Sequence, residues 1–395
     1  MAHIAMFSIP APGHVFPSLD LIGELVRRGH RVTYANDPSM RAKIEPTGAE
    51  FRAYDSVLPK IGAAAGTDDA EAYGGDVIDQ LSLFADEYEN QLPRWFRLYE
   101  DDRPDLILYD IAGAMSVVLA RTWGVPTLQV SPTYVAWEGY DEDMADFHTM
   151  LRTDPRGVAM LARQDALLAR HGIHEDSLRF LGGPERSLVL IAPSMQPNAD
   201  RVDRSVYTFT GPARSIPEAP SGDRDRRTTL LVSFGSAFTD QPTTYRAACD
   251  LAAQRPDWRV ILQVGGRTEL STVTASDGSV PPNVEVHPWI DQVAVLQDTD
   301  VFLTHAGMGG ASEAMLTGTP VVTAPQAADQ FENATMLAAA GIAVPIPEEL
   351  SATTLGAACD AALALTGRAQ ELAAELDELG GLGRAVEVVE ARLPA

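Results

Sequence analysis

Short apolar runs of strand length alternate with segments of helical periodicity along nearly the whole of this 395-residue chain, and that alternation most restricts what it can fold into. The first instance is complete. His3–Ile9 is a strand-length apolar run, Pro10–Pro17 is a Pro/Gly-rich turn, and Ser18–Val26 carries apolar residues at helical spacing. Arg27 and Arg28 suit the negative end of a helix dipole, Gly29 suits a left-handed terminator, and His30–Ala35 returns as a strand. Strand, helix and strand in succession predict a parallel pair. Leu106–Tyr109, Thr127–Val130, Leu188–Ile191 and Val206–Thr210 continue as buried strands.

Residues 216–227 are polar and Pro-rich and predict a linker. A second series follows, with strands at Leu230–Phe234, Val260–Val264, Val284–His287, Val301–Thr304 and Val321–Ala324, and with Leu350–Leu365 and Gln370–Leu393 as closing helices. The predicted class is α/β: Rossmann-like domains at 1–215 and 228–375 facing each other across a cleft, with 376–395 as a helix packing back on the first. Ligands of open parallel sheets bind beyond the carboxyl ends of the strands.

Composition narrows the function. Lys+Arg number 30 against Asp+Glu 55, a formal net charge of −25, and a nucleic acid would be repelled by that field. A small anion needs only local donors. Cys249 and Cys359 lie in apolar, Ala-rich helical stretches, so both read as small core residues in a reducing compartment rather than a disulfide. The first residues lack the basic region of a signal peptide, and no apolar run approaches the ~20 residues of a membrane span. A cytoplasmic protein without membrane contact, monomeric or homodimeric, is expected.

Four loops after strands carry unusual residues. His14 follows the first strand between glycine and proline and could act as a general base, although a loop histidine also serves as a cap or core residue. Asp110 ends an apolar strand; it could orient that imidazole or simply cap a helix. Gly235-Ser236-Ala237 could hold a phosphate oxygen. His305-Ala306-Gly307-Met308-Gly309-Gly310 leads from a strand into a helix, where glycines admit a ligand to the backbone and the helix N-terminus attracts phosphate. Glu313 on that helix could accept from ribose hydroxyls. No G-x-G-x-x-G follows the first strand and no G-x-x-x-x-G-K-[ST] occurs, which weighs against dehydrogenases and P-loop proteins.

Taken together these pieces resemble the family 1 glycosyltransferases of GT-B fold, over essentially the whole chain. The diagnostic stretch is Val284–Gln292, His305–Gly310, Glu313, Pro325-Gln326 and Asp329-Gln330. Tyr54–Lys60, Asp101–Leu106, Ser131–Thr133 and Gly235–Asp240 further resemble the bacterial macrolide glycosyltransferases, which glucosylate and so inactivate macrolide antibiotics. The resemblance implies an inverting, metal-independent transfer of glucose from UDP-glucose to a bulky natural product, with UDP released and no tightly bound cofactor. It casts His14 as the base and Asp110 as its partner. Trp289 would stack on uracil with Gln292 near the nucleoside, and Glu313 would hold the ribose. Ser236, His305, Gly307, Gly309 and Gly310 would hold the diphosphate, and Asp329 with Gln330 the sugar hydroxyls. Asp291 stands where the family usually has proline, and Gly309-Gly310 where many members carry polar side chains.

Tyr134, Trp137 and Phe84 are the candidate acceptor-binding side chains. With Tyr140 and the acidic run Asp141–Asp143, the first two suit a bulky apolar acceptor bearing an amine, ordinary packing being the plainer reading. Residues 62–75 are read as a mobile loop over the acceptor. Three alternatives stay open: a dTDP-deoxysugar-dependent biosynthetic transferase, a sugar-nucleotide epimerase, and an inactive nucleotide-sugar binding protein.

Overall fold

Every strand among the described residues pairs in parallel, as a chain of β-α-β units requires. The computed structural model describes residues 1–59, 75–216, 227–236, 238–266 and 268–394. Most of the expected linker (217–226), Lys60, most of the Gly/Ala/Asp-rich stretch (62–74) and Ala237 lie outside them. The chain divides into Met1–Arg214 with Gly380–Ala395, and Ser215–Leu379.

Among the described residues the N-terminal unit has seven strands: β1 His3–Phe7, β2 Arg31–Asn36, β3 Glu50–Ala53, β4 Leu106–Asp110, β5 Thr127–Ser131, β6 Ser187–Val189 and β7 Tyr207–Phe209. They lie in the order β3-β2-β1-β4-β5-β6-β7. The β1 run is continuously apolar because both of its faces are covered. Ile4 and Met6 pack with Leu21, Ile22 and Leu25 of helix Leu19–Arg27, while Ala5 and Phe7 meet Leu92, Trp95 and Tyr99 of helix Val77–Tyr99. Ala385, Val386 and Val389 of helix Gly381–Glu390 join the first of these layers. Glu390 pairs with Arg28 at 2.9 Å, fastening that helix to the end of Leu19–Arg27.

The C-terminal unit has β8 Thr228–Ser233, β9 Trp258–Gln263, β10 Val284–His287, β11 Val301–Thr304, β12 Val321–Thr323 and β13 Ala343–Pro345, in the order β10-β9-β8-β11-β12-β13. Each sheet reverses its winding once, between β1 and β4 and between β8 and β11. At such a point the following loops leave in opposite directions and open a crevice.

Several elements differ from expectation. The short edge strands β3 and β13 were not expected; none of their residues is fully buried, and proline ends β13. The closing segment Gln370–Leu393 is two helices, Thr366–Asp377 and Gly381–Glu390. They break at Gly380 and Gly381, whose φ of 84° and 45° lies in the left-handed region. The Pro10–Pro17 turn holds a helical turn, Pro12–Val15. Among the described residues no helix is long and apolar enough to cross a membrane.

Candidate active site

The strand register brings His14 and Asp110 together. Phe7 is opposite Tyr109, so the loop after β1 and the last residue of β4 emerge side by side at the reversal of the N-terminal sheet. His14 Nδ1 and Asp110 Oδ2 are in hydrogen-bond contact. The carboxylate is buried, its other oxygen has no hydrogen-bond partner, and it makes no capping bond to the turn Ile111–Gly113 that it precedes. It is therefore turned onto the imidazole rather than onto the helix end. The imidazole is 24% exposed, which leaves it reachable from solvent. Burial opposes its protonation, but the Asp110 charge and hydrogen bond outweigh that and raise its pKa above the ordinary histidine value.

Close packing fixes the pair. A Cβ at Gly113 would lie 2.5 Å from the Phe7 carbonyl and 3.3 Å from Asp110 Oδ1, so only glycine lets the chain fold over the end of β1. Beneath the loop, Asn36 Nδ2 donates to the carbonyls of Ser8 (3.0 Å) and Ile9 (3.4 Å), and the Ser8 hydroxyl pairs with the buried Tyr34 hydroxyl at 2.9 Å. Sequence reasoning missed these supports. Their signal was the placing of Tyr34 and Asn36 in and just after the run His30–Ala35 read as a strand.

Phe84 and Leu83 pack on a small apolar cluster of Ile9, Ala11, Leu58 and Ala112. Two of these residues belong to the His14 loop, and Ala112 follows Asp110 by two positions, so Phe84 packs on residues that flank the dyad in sequence. Trp137 belongs to another group: its indole N–H donates to Asp143 at 2.7 Å, its ring meets Tyr140 edge-on at 4.9 Å, and Arg201 pairs with the same carboxylate at 2.8 Å. Asp143 is thus occupied by its own neighbours, whereas Asp141 and Glu142 face solvent; Tyr134 is half-buried beside this group in sequence.

The loops after β8 and β11 likewise leave side by side, since Ser233 is opposite Thr304. His305 is wedged between glycines. A Cβ at Gly235, where φ is +68°, would lie 3.0 Å from its ring, and one at Gly307 would lie 2.5 Å from Nε2. Gln263 Nε2 donates to the Gly235 carbonyl at 3.0 Å and holds that side. Phe234 and Phe238 flank the imidazole, and burial lowers its pKa to about 4, so it is neutral at physiological pH. Ser236 is exposed beside it, and helix Met308–Thr317 begins with Gly307 as its N-cap, Gly309 exposed and Gly310 half-buried in its first turn. Backbone N–H groups and a neutral imidazole together can receive a diphosphate.

Gln292 and Glu313 meet: the amide N–H donates to the carboxylate at 2.6 Å. Asp291, where the family usually has proline, instead caps helix Gln292–Leu296 by accepting from the Ala294 N–H at 3.3 Å. Trp289 is 51% exposed, so it is no core aromatic. Asp329 is exposed at the start of helix Gln330–Ala339, whereas Gln330 is buried and its Oε1 accepts from the backbone N–H of Gln326 (2.8 Å) and Ala327 (3.2 Å), clamping the loop before it.

Two doubly wound units, one bearing a His–Asp dyad and the other a histidine wedged between glycines at the start of a helix, belong to the α/β class of folds that bind ligands beyond their strand ends. Known proteins narrow the class. The profile of the family described as UDP-glucoronosyl and UDP-glucosyl transferase matches residues 229–364. The oleandomycin glycosyltransferase of Streptomyces antibioticus is 44% identical, over all of this chain and 91% of that protein. The crystal structure of the glycotransferase of kitacinnamycin superposes with a TM-score of 0.88 at 42% identity, covering 100% of this chain and 99% of that one. That of CalG4, the calicheamicin glycosyltransferase, gives 0.83 at 28% identity, with coverages of 100% and 98%. The chain belongs to this family of glycosyltransferases. It is a sugar-nucleotide-dependent transferase of GT-B fold.

Proposed function

We propose that the enzyme moves glucose from UDP-glucose to a hydroxyl of a macrolide or similarly bulky natural product, with inversion at the sugar and without a metal. The observation that carries the reading is the His14–Asp110 dyad, with the apolar cluster of Ile9, Ala11, Leu58, Ala112 and Phe84 built partly from the residues flanking it in sequence. A base beside an apolar wall suits a hydroxyl on a large hydrophobic acceptor. Identity to the oleandomycin enzyme over the full chain supports the same acceptor class, and with it an inactivating role.

In the proposed reaction His14 Nε2, the ring nitrogen turned away from Asp110, takes the proton of the acceptor hydroxyl. The oxygen attacks C1 of the sugar, the bond from C1 to the diphosphate oxygen breaks, and UDP leaves. One displacement converts an α-linked donor into a β-glucoside. The charge gathering on UDP would be met by neutral His305, Ser236 and the N-terminus of helix Met308–Thr317. Trp289 would cover uracil, Gln292 and Glu313 the ribose, and Asp329 the sugar hydroxyls. Gln330 would act chiefly by fixing the loop ahead of Asp329. Among the described residues no three His, Cys, Asp or Glu side chains group as a metal site.

The test is incubation with UDP-glucose and a panel of macrolides in a metal-chelating buffer, read by mass spectrometry and by the anomeric coupling of the product. A β-linked hexose adduct is expected. An α-linked product overturns the single displacement, and clear preference for dTDP-deoxysugars overturns the donor. His14→Ala should abolish transfer while UDP binding persists; full activity in that variant removes the assigned base.

A further inference from the structure

We propose that Asn333 is a positioning residue that locks the phosphate loop and the sugar-reading carboxylate of the donor site into one geometry; this rests on the donor-site reading above. Asn333 is fully buried on helix Gln330–Ala339. Its side-chain nitrogen donates to two acceptors, the Ala306 carbonyl at 2.9 Å and Asp329 Oδ2 at 3.0 Å. Those acceptors lie on loops that follow different strands, β11 and β12. One amide thus spends its two N–H groups on the two halves of the site.

Both ends of this bridge sit beside strained backbone. Among the described residues only three non-glycine residues have positive φ, and two are Ala306 at 60° and Ala328 at 51°. Ala306 follows His305, and Ala328 precedes Asp329. An alanine in the left-handed region persists where its surroundings over-determine it. The Asn333 bond to the Ala306 carbonyl supplies that constraint, and so fixes how His305 enters the slot between Gly235 and Gly307. The bond to Asp329 Oδ2 fixes the carboxylate rotamer and leaves Oδ1 for a hydroxyl. A freely rotating carboxylate accepts from a hydroxyl of either configuration, whereas an anchored one discriminates.

The reporter is the ratio of kcat/KM for UDP-glucose to that for the 4-epimeric donor UDP-galactose, measured on the full chain. Asn333→Ala should lower kcat/KM for UDP-glucose about 10–100-fold, the effect of losing a hydrogen bond to a charged group. It should also compress the donor ratio towards that of Asp329→Ala, with the acceptor KM unchanged. Loss of fold alone would reduce active enzyme without altering the ratio. Asn333→Asp keeps the shape but sets a carboxylate against two acceptors; it should compress the ratio at least as far, and gives the measurement should the alanine variant not fold. In an Ala306→Gly background, where positive φ carries little cost, Asn333→Ala should weaken UDP binding less than it does alone. Parental ratios in both Asn333 variants, with a collapsed ratio in Asp329→Ala, overturn the coupling. An unchanged ratio in Asp329→Ala instead overturns the sugar-reading carboxylate, and the coupling with it.

Discussion

Replacing Asp110 by asparagine probes the base directly, because it removes a charge while keeping volume. In the parent, that charge raises the His14 pKa against the opposing effect of burial. A carboxylate in hydrogen-bond contact favours the protonated ring through both its charge and the bond it accepts. The ring is 24% exposed, so solvent screens part of that attraction. The neutral imidazole is the active base, so activity rises with pH as His14 loses its proton. Without the carboxylate only the lowering effect of burial remains, and the acidic limb of kcat/KM should move to lower pH. The plateau should fall about 10²–10⁴-fold, since the imidazole loses both its fixed tautomer and the charge that stabilises its protonated form. Stability should follow the same linkage. A raised folded pKa contributes below the unfolded value near 6.5 and is lost as pH rises through the folded value, so the variant's deficit in thermal midpoint should be larger at pH 6 than at pH 9. Rate profiles from pH 5 to 9 check all of this. An acidic limb that stays in place, or a plateau equal to the parent's, would refute the dyad.

Gly307→Ala should reduce UDP affinity in calorimetry by tenfold or more, because the added carbon would lie 2.5 Å from His305 Nε2 and must displace the ring. Gly113→Ala should lower both thermal midpoint and turnover: a carbon 2.5 Å from the Phe7 carbonyl forces an overpacking shift of about 1–3 kcal/mol and disturbs the adjacent Asp110. Trp289→Ala should raise the donor KM about 10-fold, in keeping with a lost aromatic stack of about 1–3 kcal/mol, and leave the acceptor KM alone. Phe84→Ala should do the reverse. Trp137→Ala should also raise the acceptor KM; an unchanged value would leave Trp137 with its bonds to Asp143 and Tyr140 as its whole role.

Both sheets were legible because a parallel strand covered on two faces writes itself as an apolar run, as in His3–Phe7 and Val301–Thr304. The edge strands Glu50–Ala53 and Ala343–Pro345 were not: both are short and half-buried at best, the first alternates charged with apolar residues and the second ends in proline. Helix Val77–Tyr99 was obscured by the polar residues Glu87 and Gln91 on its buried face and by Pro93 inside it. Site residues on strand-to-helix loops could be named because glycine, histidine and carboxylate are conspicuous there. Asn36 and Asn333 could not, for nothing in a linear sequence says that an amide on one element reaches carbonyls on others. The clamping use of Gln330 was hidden for the same reason: its backbone partners come from a turn whose shape rests on Ala328 at positive φ.

The two histidines show how environment assigns roles to one side chain. Each follows a central strand at the reversal of its sheet, His14 the first strand of its unit and His305 the strand across the reversal from the first. His14 has a buried carboxylate on Nδ1, which favours the charged ring that must exist for a moment after it takes a proton. His305 is equally confined but faces phenylalanines and glycines, its Nδ1 is buried without a partner, and burial holds its pKa near 4. It offers a hydrogen bond and no proton sink. A carboxylate beside His305 would raise its pKa and set a negative charge against the diphosphate it is proposed to hold. The same carboxylate beside His14 strengthens the base and meets no anion on its own loop. Pairs of titratable groups whose surroundings push them apart mark a division between proton transfer and electrostatic support. Here the division follows the boundary between the two folding units: the carboxylate that distinguishes them is the last residue of β4, and β11, the corresponding strand of the other sheet, ends in Thr304.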